Sequence, residues 1–295
     1  MQINITDIKT EDVFSYFNKR DENANKGSFG RALLITGSYG MAGAAVICTN
    51  ACVHSGVGIA HVVCPHSIYN IVSQSLPEAV FTPVNDVLTD DDKKAVIMAI
   101  KKADCVVIGC GMGMNDYTLT LLDIAVTHSK SPIIIDADGI NVLSQNIELL
   151  QSASCPIILT PHPGEMSRLC GYSISDILSH GLSIMEQFVA KYNCTLVLKT
   201  HETTVMTANG DAFVNHTGNA GMATGGSGDM LCGIMAAFIS QGLTPEKAAT
   251  AAVHIHGLCG DLSAKKYSMI YTTPTTMQKA LPIVFKELEN FIDGD

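Results

Sequence analysis

The chain carries the stretch GMATGGSGDML at residues 221–231, where a glycine-rich turn runs directly into an apolar helical pattern. Such a turn leaves the first backbone N–H groups of the helix unpaired and adds the positive end of the helix dipole, so it predicts an anion site. A bound anion would repel Asp229 at this position. The carboxylate makes chemical sense if it accepts a proton from a hydroxyl group beside a phosphate, which predicts a general base.

Short apolar runs alternate with helical patterns along the chain before this turn. Because the runs are continuous and not alternating, they predict a mainly parallel sheet with helices on both faces, a three-layer α/β/α fold. The predicted strands are Ala32–Thr36, Ile59–Cys64, Cys105–Gly109, Pro132–Asp136, Pro156–Thr160 and Thr195–Lys199. The predicted helices between them lie at about 42–56, 89–102, 116–129, 140–151, 165–171 and 174–192.

The pattern changes after Lys199. Residues 203–215 predict a β-hairpin with an Asn-Gly turn at 209–210, and three helices follow near 221–241, 245–265 and 274–291. The sequence contains no linker, low-complexity tract or internal repeat. It therefore predicts a single domain over residues 1–295, with polar residues 1–27 as an arm or a leading helix.

Composition excludes several classes of protein. Of the 295 residues, 47% are hydrophobic and 16% are charged, and the net charge is −10, so a nucleic-acid partner is not expected. The ten cysteines form no C-x-x-C pair, which predicts reduced core thiols and not a disulfide framework. The sequence shows neither a signal peptide nor a membrane span, and we expect a cytoplasmic location.

Polar or glycine-rich segments follow the predicted strands, and ligands bind at the carboxyl ends of strands in open parallel sheets. These segments are Gly37–Ala45, Gly109–Gly113, Asp136–Asn141, Thr160–Glu165 and Lys199–His201. Each also has a purely structural interpretation. The glycine loops could be tight turns, Asp136 and Asp138 could cap a helix, and His162 could be a structural histidine. Glu165 could stabilise a helix start or bind a metal ion, and His254 and His256 face different sides of one helix, which argues against a shared metal.

These motifs together resemble one family. From Lys26-Gly27-x-x-Gly30, through the strand-end segments, to Gly218–Asp229, the chain is similar to the ADP/ATP-dependent NAD(P)H-hydrate dehydratases of the ribokinase-like superfamily. The resemblance implies a ribokinase-like fold. It also implies that a nucleotide phosphorylates the C6 hydroxyl of the S epimer of NADH or NADPH hydrate, after which loss of phosphate restores the cofactor and leaves AMP from ADP, or ADP from ATP.

The resemblance assigns roles to residues by motif position. Asp229 would be the base, and the N–H groups of Gly226, Ser227 and Gly228 would hold the transferring phosphoryl group. The substrate-binding residues would be Ala44, Ala45, Gly109, Gly111, Gly113, His162 and Asp229. The nucleotide-binding residues would be Lys199, Thr200, His201, Glu202, Thr203, Asn219 and Gly228. Mg²⁺ would accompany the nucleotide, with Glu165 as its candidate protein ligand.

The resemblance leaves other readings open. The family usually has Gly where this chain has Thr200, Thr where it has Ser227, and Pro and Leu where it has Cys110 and Met112. The first alternative is a ribokinase-like kinase acting on a vitamin-precursor alcohol, and the second is a non-catalytic nucleotide-binding module. We expect ADP as donor, a homotetramer, no epimerase domain in this chain, and a separate NAD(P)H-hydrate epimerase as functional partner.

Overall fold

The computed structural model of the chain describes residues 3–294, in which ten strands form one sheet. In chain order the strands are β1 (Ile5–Asp7), β2 (Arg31–Ile35), β3 (Ile59–Pro65), β4 (Val80–Val84), β5 (Cys105–Ile108), β6 (Ile133–Ile135), β7 (Ile157–Leu159), β8 (Thr195–Leu198), β9 (Thr204–Met206) and β10 (Ala212–Val214). Their order across the sheet is β1-β10-β9-β8-β7-β6-β5-β2-β3-β4. Only the pairs that include β9 are antiparallel, so the predicted mainly parallel sheet is confirmed.

Helices cover both faces of this sheet. They are α1 (Thr10–Phe14), α2 (Ala42–His54), α3 (His66–Ser75), α4 (Asp90–Ile100), α5 (Asp116–His128), α6 (Ala137–Ser144), α7 (Leu149–Ser152), α8 (Pro163–Cys170), α9 (Ile174–Tyr192), α10 (Ser227–Ser240), α11 (Pro245–Lys266), α12 (Pro274–Gln278) and α13 (Leu281–Asp293). Successive residues of β2 enter opposite cores: Leu34 belongs to the core that includes α2, α10 and α11, whereas Leu33 belongs to the core that includes α4, α5 and α9. This alternation gives the three predicted layers.

Several elements differ from the sequence-based prediction. The predicted arm, described from Ile3 onward because Met1 and Gln2 lie outside the described residues, contains β1 and α1. Strand β1 pairs in parallel with β10, and α1 buries Val13 and Phe14. Strand β4 and helix α3 were not predicted from the sequence. The helix predicted at 221–241 begins only at Ser227, after a short 3-10 helix at Ala220–Met222.

The predicted hairpin is present, formed by β9 and β10 in antiparallel pairing. Gly210 has φ 89° in its turn, a conformation that glycine adopts without strain. Eight of the ten cysteines are buried, and all ten carry free thiols. Within residues 3–294, no helix combines the length and the apolar character needed to cross a membrane.

The closest helix packing near the predicted site is between α2 and α10. A Cβ atom added to Gly233 of α10 would lie 2.1 Å from the Cys48 carbonyl oxygen and 2.9 Å from the Ala51 Cβ atom of α2. The two backbones can approach this closely because residue 233 has no side chain. The crossing fixes the start of α10 against the start of α2.

We expect Gly233→Ala to lower the free energy of unfolding by about 1–3 kcal/mol, because the new methyl group forces two backbones apart. Gly181→Ala in α9 is the matched control. Its added Cβ would meet only the Leu198 side chain, at an ordinary 3.5 Å, so this change should be neutral or stabilising by up to about 1 kcal/mol. Urea denaturation of both variants measures the difference, and equal stabilities would contradict the close-packing account.

Candidate active site

The predicted anion site lies where α10 begins. Gly226 occupies the N-cap position with φ 90°, and no side chain caps the helix. A Cβ atom at residue 226 would lie 2.7 Å from the Ile47 side chain of α2, so both the conformation and the space require glycine. The Ser227 N–H donates to the Thr224 carbonyl at 3.3 Å, so this one of the three predicted phosphoryl-binding N–H groups is already paired within the turn. Because no side chain caps the helix, its start presents backbone dipoles toward the site.

Asp229 lies in the first turn of α10 and is half-buried. Burial, followed by the negative charge of Asp136, raises the pKa of Asp229 to about 6. The Cys110 thiol and the Lys199 ammonium act in the opposite direction but do not cancel this effect. A carboxylate with this pKa is ionised at neutral pH and still basic enough to take a proton from a substrate.

A buried ion pair lies beside Asp229. The Lys199 ammonium nitrogen is 2.6 Å from Asp136 Oδ1, and the Thr160 hydroxyl donates to the same oxygen at 2.6 Å. Burial alone would raise the pKa of Asp136, but the charge and hydrogen bond of Lys199 outweigh burial and hold it below its usual value. Burial would lower the pKa of Lys199, but the negative charges of Asp136 and Glu165 outweigh burial and raise it. Both groups are therefore charged in the folded protein.

The ion pair lies directly under the helix start. A Cβ atom at Gly228 would be 3.2 Å from both Asp136 Oδ2 and Lys199 Nζ. Lys199 thus lies at the predicted anion site itself. The Asp136 side chain makes no helix-capping hydrogen bond, so the capping interpretation of this residue is wrong.

Two glycine-rich loops are joined at the neighbouring strand ends. Gly37 N–H donates to the Cys110 carbonyl at 2.8 Å, and the Ser38 hydroxyl donates to the Gly111 carbonyl at 2.9 Å. A Cβ atom at Gly111 would be 2.6 Å from that of Ala44, so the two predicted substrate-binding residues are in contact. Ala45 lies behind them and is fully buried.

The second of these loops is also fixed to α6. Gly113 N–H donates to Asp138 Oδ2 at 2.7 Å, and a Cβ atom at Gly109 would lie 2.0 Å from the Asp136 carbonyl oxygen. Asp138 therefore holds the glycine loop instead of capping its own helix. The predicted substrate-binding glycines at 109, 111 and 113 belong to one rigid surface next to Asp136.

His162 and Glu165 cap α8 reciprocally. His162 Nδ1 accepts hydrogen bonds from the N–H groups of Gly164, at 3.0 Å, and Glu165, at 3.3 Å. Glu165 Oε2 accepts from the His162 N–H at 2.8 Å and lies 3.9 Å from Lys199 Nζ. The His162 side chain is half-exposed. Its capping role leaves Nε2, which is 3.4 Å from Glu165 Oε1, as the ring nitrogen that can meet a ligand.

The side chains do not build a magnesium cage around Glu165. Within the described chain, its carboxylate is used by the His162 N–H and faces Lys199, and Asp136 is paired with that same ammonium group. Mg²⁺ prefers several oxygen ligands and commonly enters a site on phosphate groups. An ion brought in with nucleotide phosphates fits this arrangement better than one held by Glu165.

The remaining predicted nucleotide-binding residues form a separate edge of the site. Thr200 donates to the Glu202 carbonyl at 2.8 Å, and Thr203 donates to the Thr200 carbonyl at 3.2 Å, so the β8–β9 loop closes on itself. The His201 side chain is 90% exposed and available to a ligand. Thr200 thus closes the turn through its own side chain.

Asn219 lies at the start of the short 3-10 helix before the glycine turn. Its side-chain oxygen accepts from Gly221 N–H at 3.0 Å, and its side-chain nitrogen donates to Asp261 Oδ1 at 2.9 Å. Asp261 Oδ2 also accepts from Gly218 N–H at 2.9 Å. The sequence analysis gave Asp261 no role, although it holds this whole segment in place.

His256 is a second residue that the sequence analysis did not assign to the site. Its Nε2 lies 3.4 Å from the Ser227 hydroxyl, and burial lowers its pKa to about 4, so the ring is neutral. His254 instead contacts Thr10 and Asn215, as expected for two positions on different helix faces. The available signal in the sequence was a histidine among the small and apolar residues in the middle of α11.

The fold and the site together define an enzyme of the ribokinase-like class, with an acid in the first turn of an anion-binding helix. Residues 32–283 match the model of the NAD(P)H-hydrate dehydratase family. The chain belongs to this family. The relatives that are named NAD(P)H-hydrate dehydratases are hydro-lyases. The family and the fold expected from the sequence motifs are thereby confirmed.

Individual relatives agree with this assignment. The chain is 33% identical to the ADP-dependent (S)-NAD(P)H-hydrate dehydratase of Neisseria meningitidis over 83% of its own length and 81% of that protein. It spans about half the length of the bifunctional NAD(P)H-hydrate repair enzymes that it also matches.

Solved structures have the same fold. The ADP/ATP-dependent NAD(P)H-hydrate dehydratase of Bacillus subtilis, co-crystallised with ATP and Mg²⁺, superposes with a TM-score of 0.83 at 27% identity, covering 95% of this chain and 97% of that one. A ribokinase-like superfamily protein of Enterococcus faecalis gives a TM-score of 0.85 at 30% identity, with 97% and 96% covered.

Proposed function

We propose that the protein uses ADP, or ATP in its place, to dehydrate the S epimer of NADH or NADPH hydrate and so returns the intact cofactor. The observation that carries this proposal is the position of Asp229, in the first turn of α10 and beside the Asp136–Lys199 pair. Family membership favours dehydration over the kinase alternative, in which the reaction would stop at the phosphate ester.

Each group has a step in this reaction. Asp229 accepts the proton of the C6 hydroxyl as that oxygen attacks the terminal phosphorus of the nucleotide. The N–H groups at the start of α10 and the Lys199 ammonium below them stabilise the charge on the transferring phosphoryl group. The C6–O bond then breaks and its oxygen leaves within inorganic phosphate. The neighbouring ring carbon loses a proton to solvent as the ring double bond forms, and AMP remains from ADP.

The two loops around the site divide the ligands. Ala44 and the glycines at 111 and 113 form a close-packed surface that suits the hydrated nicotinamide nucleotide, together with His162, and Ala45 and Gly109 are buried behind it. The β8–β9 loop at 200–203 and Asn219 form the edge that suits the adenine nucleotide. Mg²⁺ would accompany the phosphates of that nucleotide, and the Bacillus relative was co-crystallised with ATP and Mg²⁺.

The cellular setting is part of the same proposal. The chain acts as a single domain, in the cytoplasm, as a homotetramer, and a separate epimerase supplies the S epimer. Relatives that are bifunctional repair enzymes support a functional pairing of this kind. Size-exclusion chromatography with light scattering tests the tetramer, and a monomeric mass would overturn it.

Incubation of purified protein with separated epimers of NADH hydrate tests the function. With ADP or ATP, the S epimer should regain the near-ultraviolet absorbance of the dihydronicotinamide ring and release one phosphate per ring restored. The R epimer is the control and should react only as fast as it epimerises. A phosphate ester that accumulates without a gain in absorbance would identify a kinase. No reaction with either nucleotide would overturn both the dehydratase and the kinase function.

The pH dependence of kcat/KM should follow the ionisation of Asp229. The base works only when it is deprotonated, so activity should rise with pH up to about 6 and then level off. Below that value it should fall about tenfold per pH unit. Initial rates at limiting hydrate, with hydrate stability measured at each pH, give the profile. A rate that stays constant from pH 7 down to pH 4 would contradict the assignment.

A further inference from the structure

A cluster of metal-ligating atoms lies beneath the helix start, and no step of the reaction described above uses its two thiols. The sulfur atoms of Cys110 and Cys232 and a carboxylate oxygen of Asp136 lie within 4.8 Å of one another. All three side chains are buried. Within residues 3–294 these three residues form a group of potential metal ligands that comes from three separate elements, the β5–α5 loop, the start of α6 and α10.

Asp136 can serve this cluster while keeping its ion pair. Lys199 and Thr160 both contact Oδ1, which leaves Oδ2 facing Cys110, with the sulfur 3.9 Å away. The Thr160 hydroxyl is also 3.9 Å from the Cys232 sulfur, so the two thiols flank the carboxylate.

The donor set selects the kind of ion. Two thiolates and one carboxylate suit a tetrahedral, thiophilic divalent cation such as Zn²⁺ or Cd²⁺, whereas Mg²⁺ requires oxygen ligands. Binding replaces two thiol protons with one divalent cation, so M²⁺ plus two S–H groups gives two M–S bonds and two released protons. The net charge of the buried cluster does not change, so the neighbouring Lys199 ammonium meets no added charge.

We propose that Cys110, Cys232 and Asp136 bind one thiophilic divalent cation beneath the Gly228–Asp229 turn, and that this ion inhibits the enzyme. Metal–sulfur bonds of about 2.3 Å require the two sulfur atoms to move toward the ion. Cys232 lies one helical turn after Asp229, so its movement displaces the start of α10. Oδ2 of Asp136 would also be only 3.2 Å from a Cβ atom at Gly228, which places the ion next to the anion site.

Titration of the reduced full-length protein with Cd²⁺ tests the site, with the ultraviolet Cd–thiolate charge-transfer band as the readout. Wild-type protein should bind one equivalent more than Cys110→Ser or Cys232→Ala. Cys194→Ser is the matched control because Cys194 is equally buried but lies in the core on the other side of the sheet. Thermal melts establish that each variant is folded. Equal stoichiometry in wild type, Cys110→Ser and Cys232→Ala would overturn the proposal.

Inhibition is measured separately and rests on the proposed function. The Zn²⁺ concentration that halves turnover should rise at least about tenfold in Cys110→Ser and stay unchanged in Cys194→Ser, each relative to its own rate without zinc. Cd²⁺ binding at the cluster with undiminished turnover would overturn the inhibitory role. If metal-free wild type shows no turnover, the proposed function fails and the Cd²⁺ stoichiometry alone decides the site.

Discussion

Replacement of Asp229 with asparagine should lower kcat by about 10²–10⁴-fold, the usual contribution of a positioned base. Asparagine keeps the size and hydrogen-bonding shape of the side chain but cannot accept the proton. The affinity for ADP should change little, because the backbone of the glycine turn and the Lys199 ammonium remain. Turnover assays and equilibrium nucleotide binding separate the two effects.

Asp116→Asn provides the matched control for this variant. Asp116 also lies in the first turn of a helix, α5, but it is exposed. Its replacement should leave turnover unchanged. Substantial turnover in Asp229→Asn, or an equal loss in both variants, would remove Asp229 from the role of base.

Asp229→Asn should also stabilise the protein at alkaline pH. The folded state raises the pKa of Asp229 from its usual 3.8 to about 6, so the folded state binds this proton more tightly than the unfolded chain does. That stabilisation is complete below pH 3.8 and disappears as pH rises through about 6. At pH 8 Asp229→Asn should therefore melt above wild type, and the difference should shrink toward pH 4. An unchanged or lower melting temperature at pH 8 would contradict the desolvation of this carboxylate.

Replacement of Lys199 with methionine should lower the free energy of unfolding by about 3–5 kcal/mol, because it leaves the buried Asp136 carboxylate without its countercharge. Turnover should fall as well, since the ammonium group lies under the start of α10. Denaturant unfolding at neutral pH measures the stability change, and phosphate release measures turnover.

Two comparisons isolate the cause. Lys93→Met breaks an exposed pair with Asp90 at 3.7 Å and should cost less than about 1 kcal/mol. Adding Asp136→Asn to Lys199→Met removes both buried charges, so it should restore much of the lost stability but not the turnover. Equal free energies of unfolding for Lys199→Met and Lys93→Met would show that the buried ion pair contributes no more to stability than the exposed one.

The central strands were predictable from the sequence because they are buried on both faces. A residue run such as Ile133–Ile135 has no solvent-facing position, and this is what a continuous apolar run signals. The two edge strands lack that signal. Strand β1 has only three residues, all exposed, and β4 contains Pro83 and only one fully buried residue. Their pairing is decided by distant partners, which local patterns do not encode.

Site features that depend on neighbouring residues could be predicted from the sequence, whereas contacts between residues far apart in the chain could not. The glycine turn and Asp229 could be found because adjacent residues determine the backbone conformation and the start of the helix. The partner of Lys199 could not be found in this way, because Asp136 lies 63 residues earlier in the chain. A lysine at the end of the buried strand β8 does indicate that some carboxylate must be near it, although not which one.

The absence of a side chain at Gly233 has a further consequence, because it sets the distance between α2 and α10. Helix α2 begins with the residues next to the glycine loop, including Ala44, and α10 begins with the residues that would hold phosphate and base. The two helices touch at the Cys48 carbonyl. The distance between the glycine loop and the start of α10 therefore depends on this backbone contact between the two helices. A larger residue at position 233 should move α2 and α10 apart and lengthen that distance.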